Sequence, residues 1–180
     1  MRSIKLRKLK EEDGAPMLEW MTDVRIYSKM QYDYENCSLE QCLLFIKNSW
    51  DVKEHLHLAI SDDMGQYLGT VSLKNIDNRN KNAELGIVVH PNFMGTGAAS
   101  LALKEIMKIA FVEQKLNKVY FYVRCDNERA VAFYRKNHME YEGCAREHLC
   151  IHGEYKDVFW FCLRKANYNQ WRKRVSETKG

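Results

Sequence analysis

The residues best able to do chemistry lie in one short run, Met94-Gly95-Thr96-Gly97-Ala98-Ala99-Ser100. Two glycines one residue apart permit a turn whose backbone N–H groups point outward. If a helix begins just beyond them, those groups sit at the positive end of its dipole, an arrangement that suits phosphate. The same two glycines serve equally well simply to turn the chain. Two phosphate loops are excluded by spacing. Gly97 is followed by Ala98, Ala99 and Ser100, with no acid in the ribose position of a dinucleotide fold, and no Gly-Lys-Ser/Thr closes the run as in a Walker loop. A short anion loop of another kind remains.

Such a loop needs a strand before it and a helix after it. Ala83 to Val89 is apolar and β-branched towards its end, and Pro91 with Asn92 closes it because proline cannot donate to a ladder. Beyond Gly97, the positions Leu101, Leu103, Ile106, Ile109, Ala110 and Val112 recur at three- and four-residue spacing, which predicts a helix with one buried face running to Leu116. Upstream, Ile4 to Leu9 alternates as a first strand. Residues 14 to 30 are expected to form a first helix with Pro16 in its opening turn, and Ser38 with Gln41 sets a capping box for a second near residue 39. His55 to Ser61 and Tyr67 to Asn75 read as antiparallel strands around Asp62-Asp63-Met64-Gly65. Downstream, Lys118 to Arg124 is a strand, Glu128 to Lys136 a helix, and 141–150 with 155–164 a hairpin turning at Ile151-His152-Gly153-Glu154. The order describes an α+β domain, a mixed sheet with helices on both faces.

The chain has 180 residues, 46% hydrophobic and 29% charged, which suits one soluble core. No apolar run approaches the ~20 residues a membrane span requires, and the N-terminus lacks the apolar stretch of a signal peptide. Six cysteines without Cys-x-x-Cys spacing or histidines at metal spacing read as thiols in a reducing compartment, so the cytoplasm is expected and a metal is not. Residues 1–90 carry 12 basic and 14 acidic side chains, against 16 and 10 in 91–180. The positive excess therefore lies in the half that contains the glycine loop, where it would draw an anionic cofactor, or merely in a basic C-terminal tail. The domain is expected to span 1–166 and the tail 167–180. No stretch is basic and aromatic enough to favour a nucleic-acid platform.

The run Val88-Val89-His90-Pro91-Asn92-Phe93-Met94-Gly95-Thr96-Gly97-Ala98-Ala99 resembles the acyl-CoA pyrophosphate loop of the GNAT superfamily of N-acetyltransferases, Gln/Arg-x-x-Gly-x-Gly/Ala. Gly97 and Ala99 fill the two small positions, and Met94 stands where the family usually has glutamine or arginine. A second block resembles the family's strand-loop-helix pattern through Asn127, Ala130 and Tyr134. The family's closing glycine-aromatic pair is His138-Met139 here, and Asn137 is expected to take the left-handed position at the helix end. The Ile-x-Gly-x-Tyr hairpin at 151–155 is similar to the subgroup that acetylates ribosomal-protein N-termini and polyamines.

That resemblance implies a single GNAT-type domain whose mostly antiparallel sheet splays between strands 4 and 5, here Ala83–Val89 and Lys118–Arg124. The pantetheine arm of acetyl-CoA would add along Val88 and Val89, the run 94–100 would hold its diphosphate, and Asn127 and Lys136 would make further cofactor contacts. It also implies direct attack by a primary amine on the thioester in a ternary complex, with no metal. Tyr134 is then the candidate acid for the leaving sulfur, although its spacing with Ala130 and Phe133 fits a core aromatic too. Glu84, an acid inside an apolar strand, is the candidate base, directly or through water, unless it simply faces solvent. His90 reads as structural. Tyr32, Tyr34 and Glu35, with Trp20, Tyr27 and Asp33, either make an aromatic and acidic mouth for a cationic amine or belong to the core. The acceptor is a peptide N-terminus, a polyamine, an amino sugar, an aminoglycoside or another small amine. A CoA-binding module without turnover and a ribosome-associated protein are the other classes. The expected partner is an amine, without nucleic acid or membrane, and the expected state is monomer or homodimer.

Overall fold

A computed structural model of the chain describes residues 4–30, 34, 36–50 and 53–177. Seven strands make one sheet: β1 (Lys5–Lys8), β2 (Leu56–Ser61), β3 (Tyr67–Asp77), β4 (Asn82–Val89), β5 (Lys118–Arg124), β6 (Glu140–Ile151) and β7 (Glu154–Arg164). Their order is β1-β2-β3-β4-β5-β7-β6, antiparallel throughout except between β4 and β5. The helices are α1 (Gly14–Met21), α2 (Val24–Tyr27), α3 (Leu39–Asn48), α4 (Ala98–Lys108), α5 (Glu128–Lys136) and α6 (Lys165–Glu177). None of the described helices is long and apolar enough to cross a membrane.

Strand alternation sorts the core into two layers. Leu58, Ile60, Val71, Leu85 and Phe121 share one cluster with residues of α4, α5 and α6, while Ala59 and Tyr67 share the other with Met17, Trp20, Ile26 and Ile46 of α1 to α3. Each fully buried large apolar side chain contributes about 1.5–3 kcal/mol, so both helical layers are held by the sheet rather than by one another.

One ladder is short. β4 pairs with β5 only at Asn82↔Lys118, Ala83↔Val119 and Glu84↔Tyr120. Meanwhile β4 keeps β3 as far as Val89↔Gly69, and β5 keeps β7 as far as Arg124↔Val158. The sheet is therefore continuous at one end and split at the other, and the upper edges of β4 and β5 face a gap instead of each other.

The expected single helix over 14–30 is two helices. Thr22 Oγ1 donates to Leu18 O at 2.9 Å as α1 ends, and Asp23 accepts from Arg25 N at 2.8 Å to start α2. The capping box at Ser38 and Gln41 is present in both directions, with Ser38 N donating to Gln41 Oε1 at 2.8 Å and Gln41 N to Ser38 Oγ at 3.2 Å. The long helix after Gly97 is regular to Lys108 and then widens into a π-helical turn over Ile109–Glu113. The left-handed residue after α5 is His138, at φ 54°, rather than Asn137. Asn137 is instead buried: its Nδ2 donates to Phe133 O at 2.8 Å, and its carbonyl accepts from Trp171 Nε1 at 2.7 Å. That second bond explains a further difference. The basic stretch beyond residue 166 is helix α6 as far as Glu177, because Tyr168, Trp171 and Val175 bury one face of it in the core.

His57 of β2 offers a test of the packing between α3 and the sheet. Its Nδ1 lies 2.7 Å from Ser72 Oγ and its ring 4.8 Å from that of Phe45. Burial, with His55 and Lys74 nearby, pushes its pKa down from the ordinary 6.5 to about 4. The unfolded chain takes up this proton near pH 6.5 and the folded one only near 4, so stability falls as pH drops through that window. Thermal unfolding followed from pH 7 to 4.5 is expected to show a steeper loss in the wild type than in His57→Gln; equal slopes would contradict the assignment.

Candidate functional site

The gap between β4 and β5 opens into a cleft of about 820 Å³. Ile26, Lys29 and Met30 line it on one side of the sheet, Val88 and Val89 along the edge of β4, and Asn127, Ala130 and Tyr134 on the other side. The glycine loop closes one end.

Local bonds fix that loop. Pro91–Phe93 form a 3-10 turn, Met94 N donates to Pro91 O at 3.2 Å, and Thr96 Oγ1 donates to Phe93 O at 2.7 Å. Gly95 and Gly97 have φ of 78° and 87°, a region costly for residues with a Cβ, and Gly97 is the N-cap of α4. Leu101 N makes the first helical bond, to Gly97 O at 3.1 Å. Among the described residues, the amides of Gly95, Gly97, Ala98, Ala99 and Ser100 donate to no other group. A helix start leaves such donors for an outside partner. Gly95, Gly97, Ala99 and Ser100 line the cleft, whereas Ala98 turns its methyl into the core and Thr96 stands outside the lining. Nothing stands within 4 Å of where a Cβ would lie on Gly95 or Gly97, so the space beside them is open. Met94 lines the cleft yet packs against the apolar layer of α1 to α3. Its side chain has a packing task, which accounts for an apolar residue at that position.

β4 is supported from behind by a residue that sequence reasoning missed. A Cβ on Gly69 would lie 2.2 Å from Val88 O and 2.8 Å from Val89 Cα, so only glycine lets β3 press this closely on the part of β4 that has lost β5. The available signal was a glycine inside an otherwise strand-forming run, which marks close backbone approach.

Tyr134 is 8% exposed and lines the cleft. Its ring lies tilted at 4.1 Å from that of Phe121 and edge-on at 5.0 Å from that of Phe133, measured between centroids. Burial raises its pKa, so the phenol keeps its proton at neutral pH. Asn127 caps α5, its Oδ1 accepting from Ala130 N at 3.2 Å. Lys136 lines the cleft, and so does Arg129, which sequence reasoning did not single out.

Glu84 is not among the cleft-lining residues. It sits where β4 and β5 are still paired, and both carboxylate oxygens are engaged, Oε1 by Lys74 Nζ at 2.5 Å and Oε2 by Asn75 Nδ2 at 3.1 Å. The cross-strand register Lys74↔Glu84 makes this pair. His90 is structural in form: its Nε2 lies 3.0 Å from Glu19 Oε2, and its Nδ1 accepts from Asn92 N at 3.2 Å. Of the expected aromatic mouth, Tyr32, Asp33 and Glu35 lie outside the described residues. Tyr34 is half-buried, away from the cleft lining, with its carbonyl accepting from Cys37 N at 3.0 Å. Trp20 is core, its Nε1 donating to Tyr67 OH at 2.9 Å. Tyr27 lines a second cleft of about 280 Å³ beside the β6–β7 hairpin.

The family model of the acetyltransferase (GNAT) domain matches residues 3–140. The chain is 28% identical over 179 residues to spermidine N(1)-acetyltransferase of Escherichia coli (strain K12), covering 98% of this chain and 94% of that protein. It is also 28% identical over 163 residues to acetyltransferase PseH of Campylobacter jejuni subsp. jejuni serotype O:23/36 (strain 81-176), covering 89% and 91%. In fold it is similar to the crystal structure of spermidine N-acetyltransferase from Vibrio cholerae in complex with CoA and spermine, with a TM-score of 0.82 at 23% identity over 92% of this chain and 98% of that one.

Replacing Gly97 tests the loop. A β-branched residue in this backbone conformation is strained and fills the space beside the free amides, so Gly97→Val is expected to weaken coenzyme A binding by at least about tenfold in calorimetry. The same substitution at Gly65, a left-handed turn glycine outside the cleft lining, is expected to leave that affinity alone. Equal effects at both positions would refute the role of the loop.

Proposed function

The chain belongs to the acetyltransferase (GNAT) family, and from that membership we propose that the split between β4 and β5 seats acetyl-CoA beside an amine acceptor. It is an acetyl-CoA-dependent N-acetyltransferase. The observation that carries the proposed seating is the coincidence of two sets of main-chain groups without a protein partner, the amides of Gly95, Gly97, Ala98, Ala99 and Ser100 and the edge of β4 beyond Glu84 that has lost β5.

The residues present fit the co-substrate. The free amides would hold the diphosphate at the start of α4, with Arg129 and Lys136 adding positive charge across the cleft. The open edge of β4 would take the pantetheine amides as a sheet takes an added strand, and an N–H there would face the thioester oxygen as charge develops on it. Acetyl-CoA supplies the electrophilic acetyl carbonyl. Tyr134 would donate its phenolic proton, or a hydrogen bond, to the departing thiolate, and its raised pKa keeps the donor protonated. A primary alkylammonium has a pKa of about 10 and must lose a proton before attack. With Glu84 held by Lys74 and Asn75, that proton would leave through water.

We take the acceptor to be a polyamine such as spermidine, by likeness to the named relatives. A second reading, an amine that also carries an anion, is favoured by Lys29, which lines the α2 side of the cleft, where we place the amine; Arg25 beside it is engaged by Asp23. Free thiols at all six cysteines support a cytoplasmic setting, and monomer and homodimer are both compatible with the cleft being built within one chain. Thiol release from acetyl-CoA is expected with at least one of spermidine, aminoglycosides, amino-sugar nucleotides and N-terminal peptides. Tyr134→Phe is expected to lower turnover by about 10² while leaving acetyl-CoA affinity within about twofold. Wild-type turnover in Tyr134→Phe would remove Tyr134 as the acid.

A further inference from the structure

Deepening that reading, we propose that Arg124 is a positioning residue that fixes the amine-side wall of the cleft relative to the helix carrying Tyr134. Arg124 ends β5, where the sheet has already split, and is only 7% exposed. Its Nε and Nη2 donate to the two oxygens of Asp126 at 2.9 and 2.6 Å, and its Nη1 donates to Ser28 O at 2.8 Å. Ser28 is the C-cap of α2, and Ile26, Lys29 and Met30 around it line the cleft. Asp126 also lines the cleft and immediately precedes Asn127, the cap of α5. One guanidinium therefore joins two opposite walls that stand 96 positions apart in sequence.

The tie matters because α2 has little else to hold it. It has four residues, of which Ile26 alone is buried, and a helix of that length does not persist without tertiary contacts. A guanidinium cannot shed its charge, so its burial depends on every donor finding a partner in fixed geometry. The fork of Arg124 meets both oxygens of a carboxylate and a carbonyl at once, in a fixed planar geometry that the single ammonium of a lysine reproduces only in part. On the far side of this tie lies the smaller cleft, where Arg124 is joined by Tyr27, Ser28 and His152. The Arg124–Asp126 pair thus forms the partition between the two clefts. The donation from Arg124 also holds Asp126 below the usual carboxylate range, which makes it a fixed anchor rather than a base.

Arg124→Met and Arg124→Lys separate this role from a general contribution to folding. With spermidine as the acceptor, Arg124→Met is expected to raise the KM for the amine about tenfold or more, the scale of a lost charge-assisted hydrogen bond. Acetyl-CoA affinity by calorimetry should stay within about twofold, because the glycine loop is untouched. Amide hydrogen exchange over 24–30 should quicken about tenfold, and Arg124→Lys should recover part of both effects. The proposal is overturned if amine and acetyl-CoA parameters move together, or if the melting temperature falls while exchange over 24–30 is unchanged. If the wild-type enzyme does not acetylate spermidine, the polyamine reading fails, and the exchange measurement alone decides the role of Arg124.

Discussion

The whole site follows from one interrupted ladder. β4 and β5 share three paired positions and then part, although each keeps its other neighbour to the end. Parallel strands buried between helical layers normally pair along their length, because an unpaired backbone group buried away from water costs about 1–3 kcal/mol. A split kept open in the middle of a seven-stranded sheet therefore presents main-chain donors and acceptors that only solvent or a ligand can satisfy. Gly69 braces one lip from behind, and the packing of Tyr134 on Phe121 braces the other.

The two sides of the cleft are built from different materials. On the side proposed for the cofactor the groups on offer are backbone amides, whose direction is set by two glycines in left-handed conformations and by the start of α4. Side-chain identity matters little there, and an apolar Met94 is tolerated because its task is to pack. On the side proposed for the amine the wall is a four-residue helix tied down by side-chain bonds, so specificity there would change with a few substitutions while the proposed cofactor half stays as it is. A fold can thus keep one reaction and vary its acceptor.

Much of this was legible in the sequence. Strand alternation, the capping box at Ser38 and the glycines before an amphipathic pattern carry their physical meaning locally, and the resemblance to the acyl-CoA loop rests on the same residues. Other features depend on register or distance. Glu84 reads as an acid in an apolar strand whether or not a lysine lies across from it, and only the pairing of β3 with β4 brings Lys74 there. The break between α1 and α2 is hidden because Val24 and Ile26 continue the apolar pattern past Asp23. The final helix is masked by the charges of Arg172, Lys173 and Arg174, although Tyr168, Trp171 and Val175 already stand at helical spacing. Arg124 reads as an unremarkable strand end until Ser28 is seen beside it.

The claim on which all of this depends is that the open edge of β4 and the free amides after Met94 are the grip on acetyl-CoA. Titrating the amide ¹H–¹⁵N spectrum of the isotopically labelled protein with acetyl-CoA tests it most directly. The account predicts the largest shifts at residues 87–89 and 95–100. Large shifts around the smaller cleft, with those amides unmoved at saturation, would contradict it.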